Sequence, residues 1–173
     1  RHGVETIPCD LLEGDLEALP STPNVIFMAG RKFGSQGNEA LTWAMNVWLP
    51  GLVAQRFAGS CIVAFSTGNV YGLSPVHGGG SREGDAPNPQ GEYAMSCLGR
   101  ERIFEHFSRV QGTPMAIIRL NYAVEMRYGV LVDIARRVWE GEEVDLSMGY
   151  VNVIWQGEAN ALSLCALEVV ASP

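Results

Sequence analysis

Residues 61 to 72, Cys61-Ile62-Val63-Ala64-Phe65-Ser66-Thr67-Gly68-Asn69-Val70-Tyr71-Gly72, pass from an unbroken apolar run into hydroxyl residues and a glycine-bounded turn. Short apolar runs of this kind read as strands. Comparable runs at residues 4–8, 25–28 and 115–120 predict three more. Between them, residues 39–57 and 93–110 read as helices, so strand and helix alternate as a parallel sheet with crossover helices requires. The expected fold is a doubly wound α/β domain, with residues 25–28, 61–65 and 115–120 as interior strands. Further along, the pattern predicts a helix over residues 130–140, a short strand at 150–155 and a final helix over 157–170.

Two breaks in this pattern carry expectations of their own. Pro50 falls inside the helix at 39–57, where its ring displaces the carbonyl of Asn46 and predicts a kink there. The kink is either a tolerated bend or an opened turn whose polar groups hold water or a neighbouring side chain. Residues 72–91 contain Gly78-Gly79-Gly80 and Pro87-Asn88-Pro89 and form neither helix nor strand. A loop of this length borders a substrate cleft or is a plain insertion.

In open α/β sheets ligands bind outside the carboxyl ends of the strands, which is where Ser66 and Thr67 fall. Tyr93 opens the next helix, 26 residues after Thr67. A hydroxyl and a phenol can thus meet over one substrate oxygen, although the same residue types also serve structural roles at strand and helix ends.

Composition narrows the function. The 173 residues are 47% hydrophobic and 18% charged, which suits one globular unit. Twelve basic residues scattered among nineteen acidic ones, for a net charge of -7, do not make a nucleic-acid surface, so a small molecule is the expected partner. No run approaches the roughly 20 apolar residues of a membrane helix, and no secretory signal opens the chain, so the expected location is cytoplasmic. Cys9, Cys61, Cys97 and Cys165 form no Cys-x-x-Cys pair, and His2, His77 and His106 have no metal-ligand spacing. No metal is assigned.

With these residues in place, the chain resembles the extended short-chain dehydrogenase/reductases, which include NAD-dependent sugar epimerases and dehydratases. Residues 66–72 resemble the family's hydroxyl-rich segment ending in Val-Tyr-Gly, with Thr67 at the catalytic Ser/Thr position and Ser66 beside it. Tyr93-Ala94-Met95-Ser96-Cys97 resembles its Tyr-x-x-Ser-Lys helix, with Tyr93 at the catalytic tyrosine and Cys97 at the lysine. Asp10 and Leu11 resemble the pair beside the adenine, Ala29 and Gly30 the turn along the cofactor, and Asn46 the helix asparagine. Asn121 resembles the strand-end asparagine flanking the nicotinamide, one residue earlier than the family pattern, and Glu158 stands in the acidic place of a late Val-x-Asp stretch. The resemblance implies a Rossmann-like NAD(P)-binding domain over residues 1–173, with 122–173 leading toward a substrate-binding portion. It also implies NAD or NADP as cofactor, a small-molecule substrate such as a nucleotide sugar, and a homodimer as candidate association.

Two departures bear on activity. The Gly-x-x-Gly-x-x-Gly turn that brings backbone amides to the pyrophosphate is absent. Gly30, Gly34 and Gly37 follow the wrong strand to replace it. The first residue is Arg1, and a missing strand-helix unit upstream is the simplest explanation, so this chain alone is expected to bind dinucleotide poorly. The second departure is Cys97. In the family, the lysine four residues after the tyrosine shares its helix face, lowers its pKa and holds the nicotinamide ribose. A cysteine does neither, and an unperturbed phenol of pKa about 10 is only on the order of 0.1% ionised at pH 7. Arg100 either leans back toward the Cys97 turn or stays solvated. Three readings follow: an NAD(P)-dependent epimerase, dehydratase or reductase, a catalytically impaired nucleotide-binding regulatory protein, or a scaffold.

Overall fold

The computed structural model describes residues 3–32 and 37–171. Strand β1 (Asn24–Phe27) pairs in parallel with β2 (Cys61–Thr67), and β2 pairs in parallel with β3 (Met115–Leu120). The register sets Phe27 opposite Ala64 and Thr67 opposite Leu120. The parallel α/β reading holds, with one correction to its detail. Among the described residues only β2 has neighbours on both sides; β1 and β3 flank it. A second correction concerns residues 4–8, which form no strand. Among the described residues no strand pairs with the outer edge of β1, and Val4 is 79% exposed. An apolar run becomes a strand only where a ladder exists to satisfy its backbone groups.

The central strand explains its own sequence. Ile62 and Ala64 join Leu49, Val53, Ala54, Phe57, Phe27 and Phe104 in one buried cluster. The pleat turns Val63, also fully buried, to the other face. Helices α2 (Leu49–Arg56) and α3 (Gly91–Gln111) pack together on the first side, and α5 (Gln156–Ala171) lies against β2 and β3. Ala159 and Ser163, one turn apart, are the buried residues of α5. A strand covered on both faces has no use for polar alternation, and 61–65 shows none.

The expected helix at 39–57 is interrupted. Helix α1 (Glu39–Trp43), capped by the Asn38 side chain on Leu41 N–H at 3.0 Å, widens into a π-helical turn at Ala44–Trp48 before α2 begins. Pro50 has no N–H to donate and its ring crowds the Asn46 carbonyl, so the ladder reorganises around Asn46 instead of simply bending. Gly99 of α3 lies against this turn; a Cβ there would meet Val47 Cγ2 at 2.8 Å. The close helix contact therefore depends on the absence of a side chain.

Beyond β3 the chain builds a second, two-stranded parallel sheet from β4 (Tyr122–Val124), which the sequence pattern did not suggest, and β5 (Val153–Trp155). Between them, α4 (Val130–Glu140) ends at Gly141 in the left-handed conformation and buries none of its residues. No helix among the described residues is long and apolar enough to cross a membrane.

Candidate active site

The carboxyl end of β2 presents Ser66 and Thr67 to opposite sides, as strand geometry requires. Ser66 Oγ donates to Glu101 Oε1 at 2.5 Å. Glu101 is fully buried and also accepts from Arg119 Nε at 3.0 Å and Nη2 at 2.7 Å. Arg119 in turn donates to the Tyr71 hydroxyl and lies over the Tyr71 ring, 4.7 Å from its centroid. The hydrogen bonds it donates to Glu101 hold the Arg119 guanidinium well above its usual range against the opposing effect of burial. Glu101 was not singled out by sequence, and Arg119 only as part of a strand end. The available signal was an arginine inside the apolar run 115–120, since a charge in a buried strand needs a partner.

Thr67 takes the other direction. Its Oγ1 accepts from Asn69 N–H at 3.2 Å, capping the 3-10 turn Gly68–Tyr71, and its hydroxyl is hydrogen-bonded with the Tyr93 side chain. Burial, reinforced by the Cys97 side chain, pushes the Tyr93 phenol up to about 12, with Thr67 and Arg100 opposing. Cys97 has no exposed surface, and burial pushes its thiol up as well. The position where the family pattern has a cation thus holds a buried neutral thiol.

Asn46 is the hub beneath this pair. Fully buried at the π turn, its Oδ1 accepts from Arg31 N–H at 2.9 Å and from Arg100 Nη2 at 2.7 Å. Its Nδ2 donates to Ser96 Oγ at 2.9 Å, and Ser96 donates to the Tyr93 carbonyl at 2.9 Å. The opened turn therefore holds neighbouring side chains through Asn46. Arg100 is not solvated: it is 7% exposed, and Nη1 donates to the Phe65 carbonyl at 2.8 Å. A helix-face arginine looked exposable by pattern alone, but Gly30 leaves space for it. Gly30 has φ 154°, and a Cβ there would run into Arg100 Nη2 and Asn46 Oδ1.

The remaining candidates lie around this centre. Ala29 packs against the core cluster at the end of β1, and Gly30 follows it. Asn121 is exposed at the end of β3, its side chain directly over Gly68. Asp10 spends its carboxylate on its own turn, accepting from Leu12 N–H at 2.9 Å and Glu13 N–H at 3.1 Å. Those two backbone donors hold it below the usual carboxylate range, and Leu11 beside it packs on the core. Of the glycines at 30, 34 and 37, Gly34 lies outside the described residues. Among the described residues no three His, Cys, Asp or Glu side chains gather as metal ligands.

A cavity of about 1520 Å³ opens next to Thr67, reached at Gly68, Asn69 and Asn121. Its walls are the first half of the 72–90 loop, the end of β3, α4 and residues 144–152. The long loop thus borders a cleft. Its base is fixed where Asn88 N–H donates to the Val70 carbonyl at 2.8 Å. Thr67, Tyr93 and Cys97 stand beside the cavity and do not line it.

No family model matches the sequence, and no curated protein does. Solved structures match by fold. UDP-glucuronic acid 4-epimerase from Bacillus cereus, solved with UDP-glucuronic acid and NAD, superposes with a TM-score of 0.80 at 17% identity, over 92% of this chain and 54% of that one. The chain shares its Rossmann-like α/β fold with this epimerase. RMD from Pseudomonas aeruginosa, complexed with NADPH, gives a TM-score of 0.74 at 22% identity over 94% of this chain and 63% of that one. MoeE5 in complex with UDP-glucose and NAD gives 0.78 at 17% identity, over 96% of this chain and 59% of that one. The chain spans between 54% and 63% of the length of these three proteins.

Proposed function

We propose that this chain forms the nicotinamide-proximal part of an NAD(P)-dependent epimerase, dehydratase or reductase acting on a hydroxyl- or carbonyl-bearing small molecule such as a nucleotide sugar. The observation that carries this reading is the hydrogen-bonded Thr67–Tyr93 pair at the carboxyl end of β2, beside a cavity of about 1520 Å³. Two hydroxyls meeting at a strand end suit a reaction in which one substrate oxygen gains or loses a proton. They fit the nicotinamide end of a dinucleotide: Ala29 and Gly30 would flank it, Asn121 would close its far side, and Thr67 and Tyr93 would face the substrate oxygen. When bound, NAD(P) supplies the hydride acceptor or donor. Residues 122–173, with β4, α4 and β5 around the cavity, would belong to the substrate side.

The phenol sets the direction of easy chemistry. A group pushed to about 12 is neutral at pH 7, so Tyr93 is ready to donate a proton to a carbonyl oxygen held by Thr67. Acting first as a base requires the phenolate, whose population at pH 7 is on the order of 0.001%. That handicap, together with the buried Cys97, favours a second reading: a nucleotide-binding regulatory or scaffold protein of the same fold that no longer turns substrate over.

Saturation-transfer NMR with NAD and NADP tests the first reading. Binding is expected to be weak, because the pyrophosphate-binding amides are missing, with the nicotinamide protons saturated more strongly than the adenine protons. Saturation confined to the adenine end would remove the reading of Thr67 and Tyr93 as a nicotinamide-side pair. Sub-micromolar affinity by calorimetry would show that another loop replaces the absent glycine turn.

A further inference from the structure

Arg100 is a buried cation whose hydrogen-bond and ring contacts are all neutral. Its guanidinium meets the Phe65 carbonyl at 2.8 Å, Asn46 Oδ1 at 2.7 Å and the Phe27 ring at 5.6 Å from the centroid. Its Nε is buried with no hydrogen-bond acceptor. Nothing comparable holds for Arg119 next door, which has Glu101 as a bidentate partner. Removing a guanidinium from water with no counter-ion bonded to it is costly, and burial draws Arg100 below its ordinary value although the charges of Cys97, Tyr93 and Glu101 oppose that. Such a site favours any neighbouring group that becomes an anion.

The candidates are few. On α3, Tyr93, Cys97 and Arg100 stand at i, i+4 and i+7 and so share a face. Glu101 favours the Arg100 charge through space, but its oxygens are bonded on the other side to Ser66 and Arg119. From the turn after β1, Arg31 meets Asn46 through its backbone N–H, with its own Nε buried and without an acceptor. Glu92, beside Tyr93, is occupied by Trp43 Nε1. From β2 the facing groups are the Thr67 hydroxyl and the Phe65 carbonyl, and the π turn contributes only Asn46. Cys97 has no exposed surface, whereas Tyr93 is half-buried and bonded to Thr67.

We infer that Arg100, seated beneath Gly30 and tied to β2 and the π turn, is the positioning residue that stabilises ionised Tyr93 in place of a cation at position 97. It acts in two ways. Nη1 on the Phe65 carbonyl, two residues before Thr67, and Nη2 on Asn46, which leads through Ser96 to the Tyr93 backbone, lock the two halves of the hydroxyl pair together. Its charge, two helical turns from the phenol, favours the phenolate. Gly30 is part of the same device, because any side chain there would collide with the guanidinium tip. This inference rests on the reading of Tyr93 as the proton-transfer group.

The test needs no cofactor, so its failure is separable from failure of the proposed function. With 3,5-difluorotyrosine at position 93, the ring fluorines bring phenol ionisation into a pH range the fold survives, and 19F NMR follows that one group. Arg100→Met is expected to raise the midpoint by about one pH unit, the size expected for one charge removed roughly 10 Å away at an effective dielectric of about 20. Arg100→Lys should recover most of that shift. An unchanged midpoint in folded Arg100→Met overturns the proposal. Should the methionine variant fail to fold, the 15N guanidinium signals of Arg100 in the unsubstituted chain decide. They are expected to move at the same midpoint as the 19F signal, and guanidinium signals that stay still through the Tyr93 transition overturn the proposal equally.

Discussion

Arg100 and Glu101 are neighbours on α3, and the fold treats their two sides in opposite ways. On the Glu101 side a buried carboxylate is saturated by Ser66 and by both arms of Arg119, which Tyr71 also contacts. On the Arg100 side a buried cation has an amide oxygen, a carbonyl and a ring face, and its Nε has no acceptor. A charge that is fully partnered holds β2, α3 and β3 together. One that is not leaves its field available to the phenol on the same helix face.

The two sides are expected to respond differently to substitution. Glu101→Ala strands Arg119 and the Ser66 hydroxyl, and should cost about 3 kcal/mol in urea denaturation, at the lower end for a broken buried pair because Arg119 keeps 19% of its side chain exposed. Gly30→Ala comes next, at about 2 kcal/mol, because the new Cβ must displace the Arg100 tip and Asn46. Arg100→Met should stay within about 1 kcal/mol of the unsubstituted chain, the two lost hydrogen bonds being offset by relief of the buried charge. A loss as large as that of Glu101→Ala would mean that Arg100 is a structural pillar of the same kind, and the contrast would fall.

Alkaline denaturation sharpens the Arg100 side. The folded phenol of Tyr93 is pushed up to about 12, above the roughly 10 of an unfolded chain. The folded state then keeps a proton that the unfolded state has lost. Stability attributable to Tyr93 is complete below pH 10 and declines as the pH rises from 10 to 12. In Tyr93→Phe this part of the decline should disappear from a series of urea midpoints taken across that window. An identical slope in both proteins would mean that Tyr93 is no more buried than an ordinary surface tyrosine.

How much of this was legible in the sequence follows from what periodicity and breakers encode. Runs at 61–65 and 115–120 announced β2 and β3, and 61–65 is wholly apolar because both faces of β2 are covered, but neither run told the central strand from its flank. Pro50 announced a disturbance at Asn46, though not the π turn that resolves it. The strand expected at 4–8 failed because a run of apolar residues says nothing about whether an edge is available for pairing. At the site, the positions of Thr67 and Tyr93 followed from strand-end placement and from the family resemblance. The burial of Arg100 and Glu101 did not, since long-range hydrogen bonds to Phe65, Asn46 and Arg119 leave no local period. Position 30 carried the missing clue, but a glycine that clears space for an arginine 70 residues away reads in sequence as one more turn residue.

The most direct measurement is the rate at which bound NADH forms at 340 nm in the first half-reaction, a single hydride transfer from a nucleotide-sugar hydroxyl to NAD, when the chain is mixed with saturating NAD and UDP-glucose, compared across the unsubstituted chain, Tyr93→Phe and Cys97→Lys. The expected result is slow turnover that Tyr93→Phe abolishes in either background. Cys97→Lys is expected to raise it about tenfold or more, one unit of phenol pKa, with the pH–rate profile moved to lower pH. Turnover that survives Tyr93→Phe, or that Cys97→Lys slows, would contradict the assignment of Tyr93 as the proton-transfer group.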